Sequence, residues 1–300
     1  MSETTDLSAG LTVLVVGAGA MGSQIALVAA LAGHDVRLAD LDAEALGRAD
    51  QQLRKRMEQQ VAKGRRTADD VSAAFARLTL QTDLAAGADG VDLVIEAVVE
   101  DLEVKRQLFA TLGEVCRPDT ILASNTSSFV PSRLADAAPY PQRFVNLHFF
   151  NPALVMKCVE VVRGPETSDD VAARSVAFVE SLGKQPVVLE KEINGFIANR
   201  ILNAVRDEAI HLLEAGVASV ESIDLACRTA LGYPMGPFEL MDLTGIDIGY
   251  RTKMARHAET QDPADLPSRT VTELVAAGHL GRKSGRGFYT YDPSTQTPGA

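Results

Sequence analysis

Apolar and polar positions along the chain change period once, and that change divides it. In the first part, short apolar runs rich in β-branched residues alternate with longer segments whose apolar residues recur every three or four positions. Leu11–Val16, the segment DVRLAD from Asp35 to Asp40, Arg77–Asp83, Val91–Val98 and Thr120–Ser127 read as strands. An alanine-rich helix reaching about Ala32 follows the first of them, and further helices are predicted over Ala43–Lys63 and Leu102–Cys116. One more helix, Asp169–Leu182, and one more strand, Pro186–Leu189, close this part. The alternation predicts an α/β fold, a doubly wound and mostly parallel sheet of the Rossmann type covered on both faces. Beyond it the period is helical throughout. Ile197, Ile201, Val205, Ile210 and Leu213 mark a long helix closed by Gly216, Ser219 caps the next with Glu221 in its first turn, and another begins at Pro237. The boundary falls near 190–195, so residues 1–190 form the sheet domain and 191–300 an all-α domain, with disorder expected only in the first ten residues and the last few.

Composition narrows the function classes. Hydrophobic residues at 46% and charged residues at 23% describe a globular chain. A formal net charge of -11 is the wrong sign for a nucleic-acid binder or for attraction to anionic membranes. No apolar run is long enough to span a bilayer, and the N-terminus lacks a secretory signal. Cys116, Cys158 and Cys227 are widely spaced and odd in number, as expected of reduced thiols in a cytosolic protein and not of a zinc site.

The loop after the first strand carries the first chemistry. Gly17, Gly19 and Gly22 form G-x-G-x-x-G between a strand and a helix, enclosing Ala20 and Met21. Gly17 permits the tight turn, Gly19 lets the backbone approach a pyrophosphate, and Gly22 lets helix and strand pack closely. The start of the helix offers unpaired N–H groups to the phosphates. Asp40 follows roughly 20 residues on, at the end of the second strand, where it can accept from both ribose hydroxyls and repel a 2′-phosphate. The expected cofactor is NAD.

Two polar residues interrupt the apolar stretch NLHFFNPALVMKCVEVV: His148 and Glu160. Both are costly to bury alone. RFVNLHFF and MKCVEVVRG read as paired strands around the turn NPALV, which places the two side chains on one sheet face. A carboxylate beside an imidazole fixes its tautomer and stabilises the imidazolium, which prepares a general base. The same pair could equally be a hydrogen bond that only joins two strands. Glu100, Asn125 and Ser127 fall at neighbouring strand ends, where ligands of such sheets bind. A basic run with Arg54, Lys55, Arg56, Lys63, Arg65 and Arg66 stands out in an acidic chain. It suits either a phosphate-rich substrate or a solvated helix face with local acidic partners.

VGAGAMGSQIA, EAVVEDLEVK, SNTSS, HFFNP with VEVV after it, GFIANRI, GPFELMDLTG and LGRKSGRGFY occur in this order. Together they resemble the 3-hydroxyacyl-CoA dehydrogenase family along nearly the whole chain. The resemblance implies that His148 is the catalytic base, Glu160 its partner, Ser127 the contact to the reacting oxygen and Asn199 the group that orients the thioester side. It also implies that Glu100, Lys105 and Asn125 line the nicotinamide and its ribose. Lys55 and Arg56 of the basic run are the candidates for a substrate's phosphates. The implied reaction is reversible oxidation of an (S)-3-hydroxyacyl-CoA, of short chain, by NAD in a homodimer. Rival readings are a dehydrogenase of the superfamily acting on a non-CoA hydroxy compound (L-gulonate or carnitine type) and a catalytically silent NAD-binding protein. Asn194 and Gln24 depart from the residues usual in the family, Pro and a small residue.

Overall fold

The computed structural model describes residues 10–291, so the expected terminal disorder lies, Gly10 apart, outside the described residues. Eight strands form one sheet: β1 (Thr12–Val16), β2 (Asp35–Ala39), β3 (Leu78–Gln81), β4 (Leu93–Glu96), β5 (Ile121–Ser124), β6 (Phe144–Phe149), β7 (Cys158–Val162) and β8 (Gln185–Leu189). Their order is β3-β2-β1-β4-β5-β6-β7-β8. Pairing is parallel from β3 through β6, while β7 runs antiparallel to β6 and parallel to β8. The helices of this unit are α1 (Ala20–Leu31), α2 (Ala43–Ala62), α3 (Ala68–Ala76), α4 (Leu84–Ala88), α5 (Leu102–Val115) and α6 (Asp169–Ser181).

Strand side chains alternate between two cores, as a sheet covered on both faces requires. Val13, Val15, Leu38, Ile95 and Leu147 pack with Ile25 of α1 and Phe178 of α6. Leu14, Val94, Leu122 and Phe144 pack with Phe109 and Leu112 of α5. Three elements differ from expectation. Helices α3 and α4 are not foreshadowed by periodicity, but Thr67 caps the first by accepting from Asp70 N at 3.1 Å, and Asp83 the second by accepting from Ala85 N (2.9 Å) and Ala86 N (3.2 Å). The strand expected over Thr120–Ser127 stops at Ser124, because Thr126 N turns back to Ser124 Oγ (3.2 Å) and Ser128 N and Phe129 N to Thr126 Oγ1 (3.1 Å each).

A buried histidine makes this unit sensitive to acid. His34 Nδ1 accepts from Leu11 N at 3.1 Å, so the ring proton sits on Nε2 and is donated to Ser181 Oγ at 2.8 Å. Burial holds its pKa below the ordinary 6.5, against the opposing charge of Asp35. A protonated ring loses its acceptor for Leu11 N. The folded state therefore binds fewer protons than the unfolded chain, and stability fully present above about pH 6.5 is lost progressively below it, down to the lowered pKa of the folded state. Melting temperature measured from pH 8 downward should drop below pH 6.5, and drop less steeply in His34→Gln. An equal slope in both proteins would remove His34 as the cause.

The chain divides into compact units between Ile197 and Ala198, where periodicity places the change at 190–195. The second unit contains α7 (Ala198–Glu214), α8 (Val220–Ala230), α9 (Pro237–Thr244), α10 (Ile246–Thr260) and α11 (Arg269–Ala276) around Ile210, Ile223, Phe238, Met241 and Val271. Two buried aspartates organise it. Asp224 caps α9 by accepting from Phe238 N (2.9 Å) and Glu239 N (3.0 Å), and it also receives the Tyr289 hydroxyl (2.8 Å). Asp242 accepts from Phe288 N (3.0 Å), Tyr289 N (2.9 Å) and the Tyr291 hydroxyl (2.9 Å). These contacts account for glycines in the two C-terminal motifs: a Cβ at Gly236 would lie 2.2 Å from Asp224 Cγ, and one at Gly287 2.0 Å from Asp242 Oδ1.

Candidate active site

The β6–β7 register sets His148 directly opposite Glu160, while the flanking pair Leu147 and Val161 faces the core behind the sheet. His148 Nδ1 lies 2.8 Å from Glu160 Oε2, and its Nε2 lies 2.9 Å from Ser127 Oγ. Histidine and glutamate are 3% and 1% exposed, so the pair acts in a medium where charge interactions are strong. A carboxylate oxygen accepts, so Nδ1 carries the ring proton and Nε2 presents its lone pair to the serine hydroxyl. The other glutamate oxygen accepts from Ile197 N at 3.0 Å. The rings of Phe150 and Phe196 flank the imidazole at 4.5 and 5.3 Å between centroids. Phe196 is fully buried at φ 50°, held in the left-handed region by the turn that delivers Ile197 N.

The loop after β5 brings Ser127 to the histidine, and Glu100 shapes that loop. Glu100 Oε1 accepts from Thr126 Oγ1 (2.5 Å), Ser127 N (3.1 Å) and Ser128 N (3.1 Å). Burial pushes its carboxyl upward, but the Lys105 charge and these hydrogen bonds outweigh burial and hold it below the ordinary value. Asn125 Oδ1 accepts from Phe149 N at 2.9 Å and fixes the end of β6.

Lys105, which the resemblance sets beside the nicotinamide and its ribose, is held by two carboxylates. It is 1% exposed, with its ammonium 2.5 Å from Glu96 Oε1 and 3.1 Å from Glu100 Oε2. It reaches the loop through Glu100. Removing one partner of such a buried pair strands a charge, at a cost of about 3–5 kcal/mol. Glu96 has no part in the sequence expectation, although a carboxylate enclosed by the apolar residues of LVIEAV is a signal of the same kind as His148.

The glycine loop has the shape a dinucleotide needs. Gly17 sits at φ 107°, where a Cβ would be 2.6 Å from Ala97 O, and a Cβ at Gly22 would be 1.9 Å from Gly17 O. At Gly19 a Cβ would meet nothing within 4 Å, so the glycine leaves open the space through which phosphates approach. No side chain caps α1, which leaves its first-turn N–H groups, from Ala20 through Gly22, for an anion. Asp40 Oδ2 accepts from Ala18 N (2.7 Å) and Oδ1 from Asp42 N (2.9 Å), so the partly exposed carboxylate splints the loop and keeps lone pairs for ribose hydroxyls. These residues fit NAD.

The basic run is split between its two readings. Arg54 pairs with Asp50 at 2.8 Å and lies 4.2 Å over the Phe75 ring, while Lys55, Lys63, Arg65 and Arg66 are exposed. Arg56 Nη1 reaches Gln24 Oε1 at 3.3 Å, the same oxygen that accepts from Leu154 N at 3.4 Å. Gln24 thus ties α1 and Arg56 to the turn after His148, a use its place in the sequence does not reveal. Asn199 lies in the first turn of α7, in the second unit. Among the described residues no group of His, Cys, Asp and Glu could hold a metal ion, and no helix is long and apolar enough to cross a membrane.

The chain resembles known proteins along most of its length. Residues 12–193 match the family model of the 3-hydroxyacyl-CoA dehydrogenase NAD binding domain, and residues 195–291 match that of the C-terminal domain. The 3-hydroxyadipyl-CoA dehydrogenase of Escherichia coli is 46% identical over 93% of this chain, which spans 59% of that relative's length. The probable 3-hydroxybutyryl-CoA dehydrogenase of Bacillus subtilis is 40% identical, with 94% of this chain and 98% of the relative covered. The crystal structure of (S)-3-hydroxybutyryl-CoA dehydrogenase from Ralstonia eutropha is 36% identical with a TM-score of 0.88, covering 95% of this chain and 100% of that one.

Proposed function

The chain belongs to the 3-hydroxyacyl-CoA dehydrogenase family of NAD-dependent oxidoreductases, and from that premise we propose that it interconverts short-chain (S)-3-hydroxyacyl-CoA and 3-oxoacyl-CoA. The observation that carries this reading is the array Ser127–His148–Glu160, with one ring nitrogen on a carboxylate and the other on a hydroxyl. In the oxidative direction His148 Nε2 takes the proton of the C3 hydroxyl, and the Ser127 hydroxyl steadies the same oxygen. Glu160 stabilises the imidazolium and prevents the ring from rotating. Bound NAD supplies the acceptor for the C3 hydride. Phe150 and Phe196 keep water from the ring, which strengthens its interaction with the carboxylate. In reduction the same atoms run backwards, and His148 returns the proton to the carbonyl oxygen. The role of Asn199 on the thioester side rests on its place in GFIANR.

The reading is tested by NADH oxidation with acetoacetyl-CoA and by NAD reduction with each enantiomer of 3-hydroxybutyryl-CoA. Turnover confined to the (S) enantiomer and inhibited by free CoA is the expected result. Turnover of free hydroxy acids, indifferent to CoA, would instead favour the non-CoA reading. The names of the relatives leave a dicarboxylic acyl chain as a second class, so 3-oxoadipyl-CoA belongs beside acetoacetyl-CoA in the same assay. Exposed Ile201, Leu225, Leu231 and Ile248 on the second unit support a homodimer, which sedimentation would reveal as twice the chain mass.

A further inference from the structure

Glu96 takes no part in the chemistry above, yet it is fully buried at the C-terminal end of β4, and its contacts lead to the Ser127 loop. One carboxylate oxygen accepts from Val98 N (2.8 Å) and from the Lys105 ammonium (2.5 Å). The other accepts from Ser124 Oγ at 2.6 Å. Ser124 is paired with Glu96 across the parallel strands, and its Oγ in turn accepts from Thr126 N at 3.2 Å. The first oxygen thus fixes the ammonium that also grips Glu100, the group on which Thr126, Ser127 and Ser128 converge. Two routes run from one buried carboxylate to the backbone on either side of Ser127.

Resting on the roles assigned above to Ser127 and His148, we propose that Glu96 is a positioning residue that sets the reach of Ser127 Oγ to His148 Nε2. The physical ground is competition for Glu100. Lys105 divides its charge between two carboxylates, and Glu96 holds the larger share by its shorter contact and complete burial. Without the Glu96 charge, the ammonium draws Glu100 wholly to itself and away from the loop hydroxyl and N–H groups. The loop then loses its anchor and Ser127 its reach, while His148 and Glu160 stay in place. Strand β4 is already paired on both edges and does not itself need this carboxylate, so beyond the buried pair with Lys105 its value lies in the loop.

The test is a double-mutant cycle on Glu96→Gln and Ser127→Ala, with wild-type turnover of acetoacetyl-CoA measured first as the separate check on the functional reading. Glu96→Gln should lower kcat about 10- to 100-fold, the size expected when a reacting contact is misplaced by an ångström. In the Ser127→Ala background the same substitution should cost less than about twofold, because its route to the chemistry is already cut. Equal losses in both backgrounds would overturn the proposal, since general structural damage is additive. A second readout needs no turnover: the His148 ring nitrogen resonances, assigned by their loss in His148→Gln. In Glu96→Gln they should move toward their positions in Ser127→Ala, and unchanged resonances would sink the idea even if acetoacetyl-CoA proves the wrong substrate. Should Glu96→Gln melt too early to assay, Ser124→Ala removes only the hydroxyl route and is read by the same cycle and the same resonances.

Discussion

His148→Gln is expected to lower kcat for acetoacetyl-CoA reduction by about 10²–10⁴-fold, the usual worth of a positioned general acid–base group. Glutamine fills much of the imidazole's volume between Phe150 and Phe196 and can still hydrogen-bond to Glu160, so the sheet should survive. What it cannot do is exchange a proton near neutral pH. Nucleotide binding should persist, because the glycine loop and Asp40 lie on other strands of the sheet and share no contact with His148. NADH titration by fluorescence, run beside the kinetics, separates the two effects. Full activity in the variant would remove the catalytic role and leave the histidine as part of the strand pairing.

Glu160→Gln should cost nearly as much, about 10²–10⁴-fold in kcat, for a different reason. The amide has one acceptor and one donor where the carboxylate has two acceptors. If its oxygen faces Ile197 N, its NH₂ faces His148 Nδ1 and forces the ring proton onto Nε2, the nitrogen that must be free to take the substrate's proton. If the amide flips, the ring keeps its tautomer but two N–H donors confront each other at Ile197, and the imidazolium loses its counter-charge. Both arrangements impair the reaction while keeping side-chain volume. The variant should therefore melt within a few degrees of wild type, and Glu160→Gln/His148→Gln should be little slower than the worse single variant. Wild-type kcat with a lowered melting temperature would assign the pair to strand packing instead.

Much of the site was legible because it depends on local rules. Gly17 and Gly22 are dictated by backbone atoms within a few residues or on the next strand, and any other residue there collides. The buried strands betray themselves as unbroken apolar runs, and in such runs His148 and Glu160 stand out by cost alone. Their spacing around a short turn was enough to place them on one face. Other parts were not legible for an equally physical reason. Lys105 looks like a surface residue in the helical stretch LEVKRQLF, and only the packing of α5 against β4 buries its ammonium against Glu96. The Ser127 loop leaves β5 three residues earlier than its composition suggests, because hydroxyls of Ser124 and Thr126 compete for the backbone once Glu100 is beside them.

Sequence by itself determined the doubly wound sheet, the glycine loop before α1 and the placing of His148 opposite Glu160. These follow from steric exclusion at glycine and from the cost of lone polar groups in apolar runs, both properties of short segments. Only the tertiary structure decided where the buried ammonium goes, which oxygens hold the Ser127 loop and which backbone N–H completes Glu160. Those are partnerships between residues far apart in the chain, and a hydrogen bond at 3 Å leaves no periodic trace in sequence.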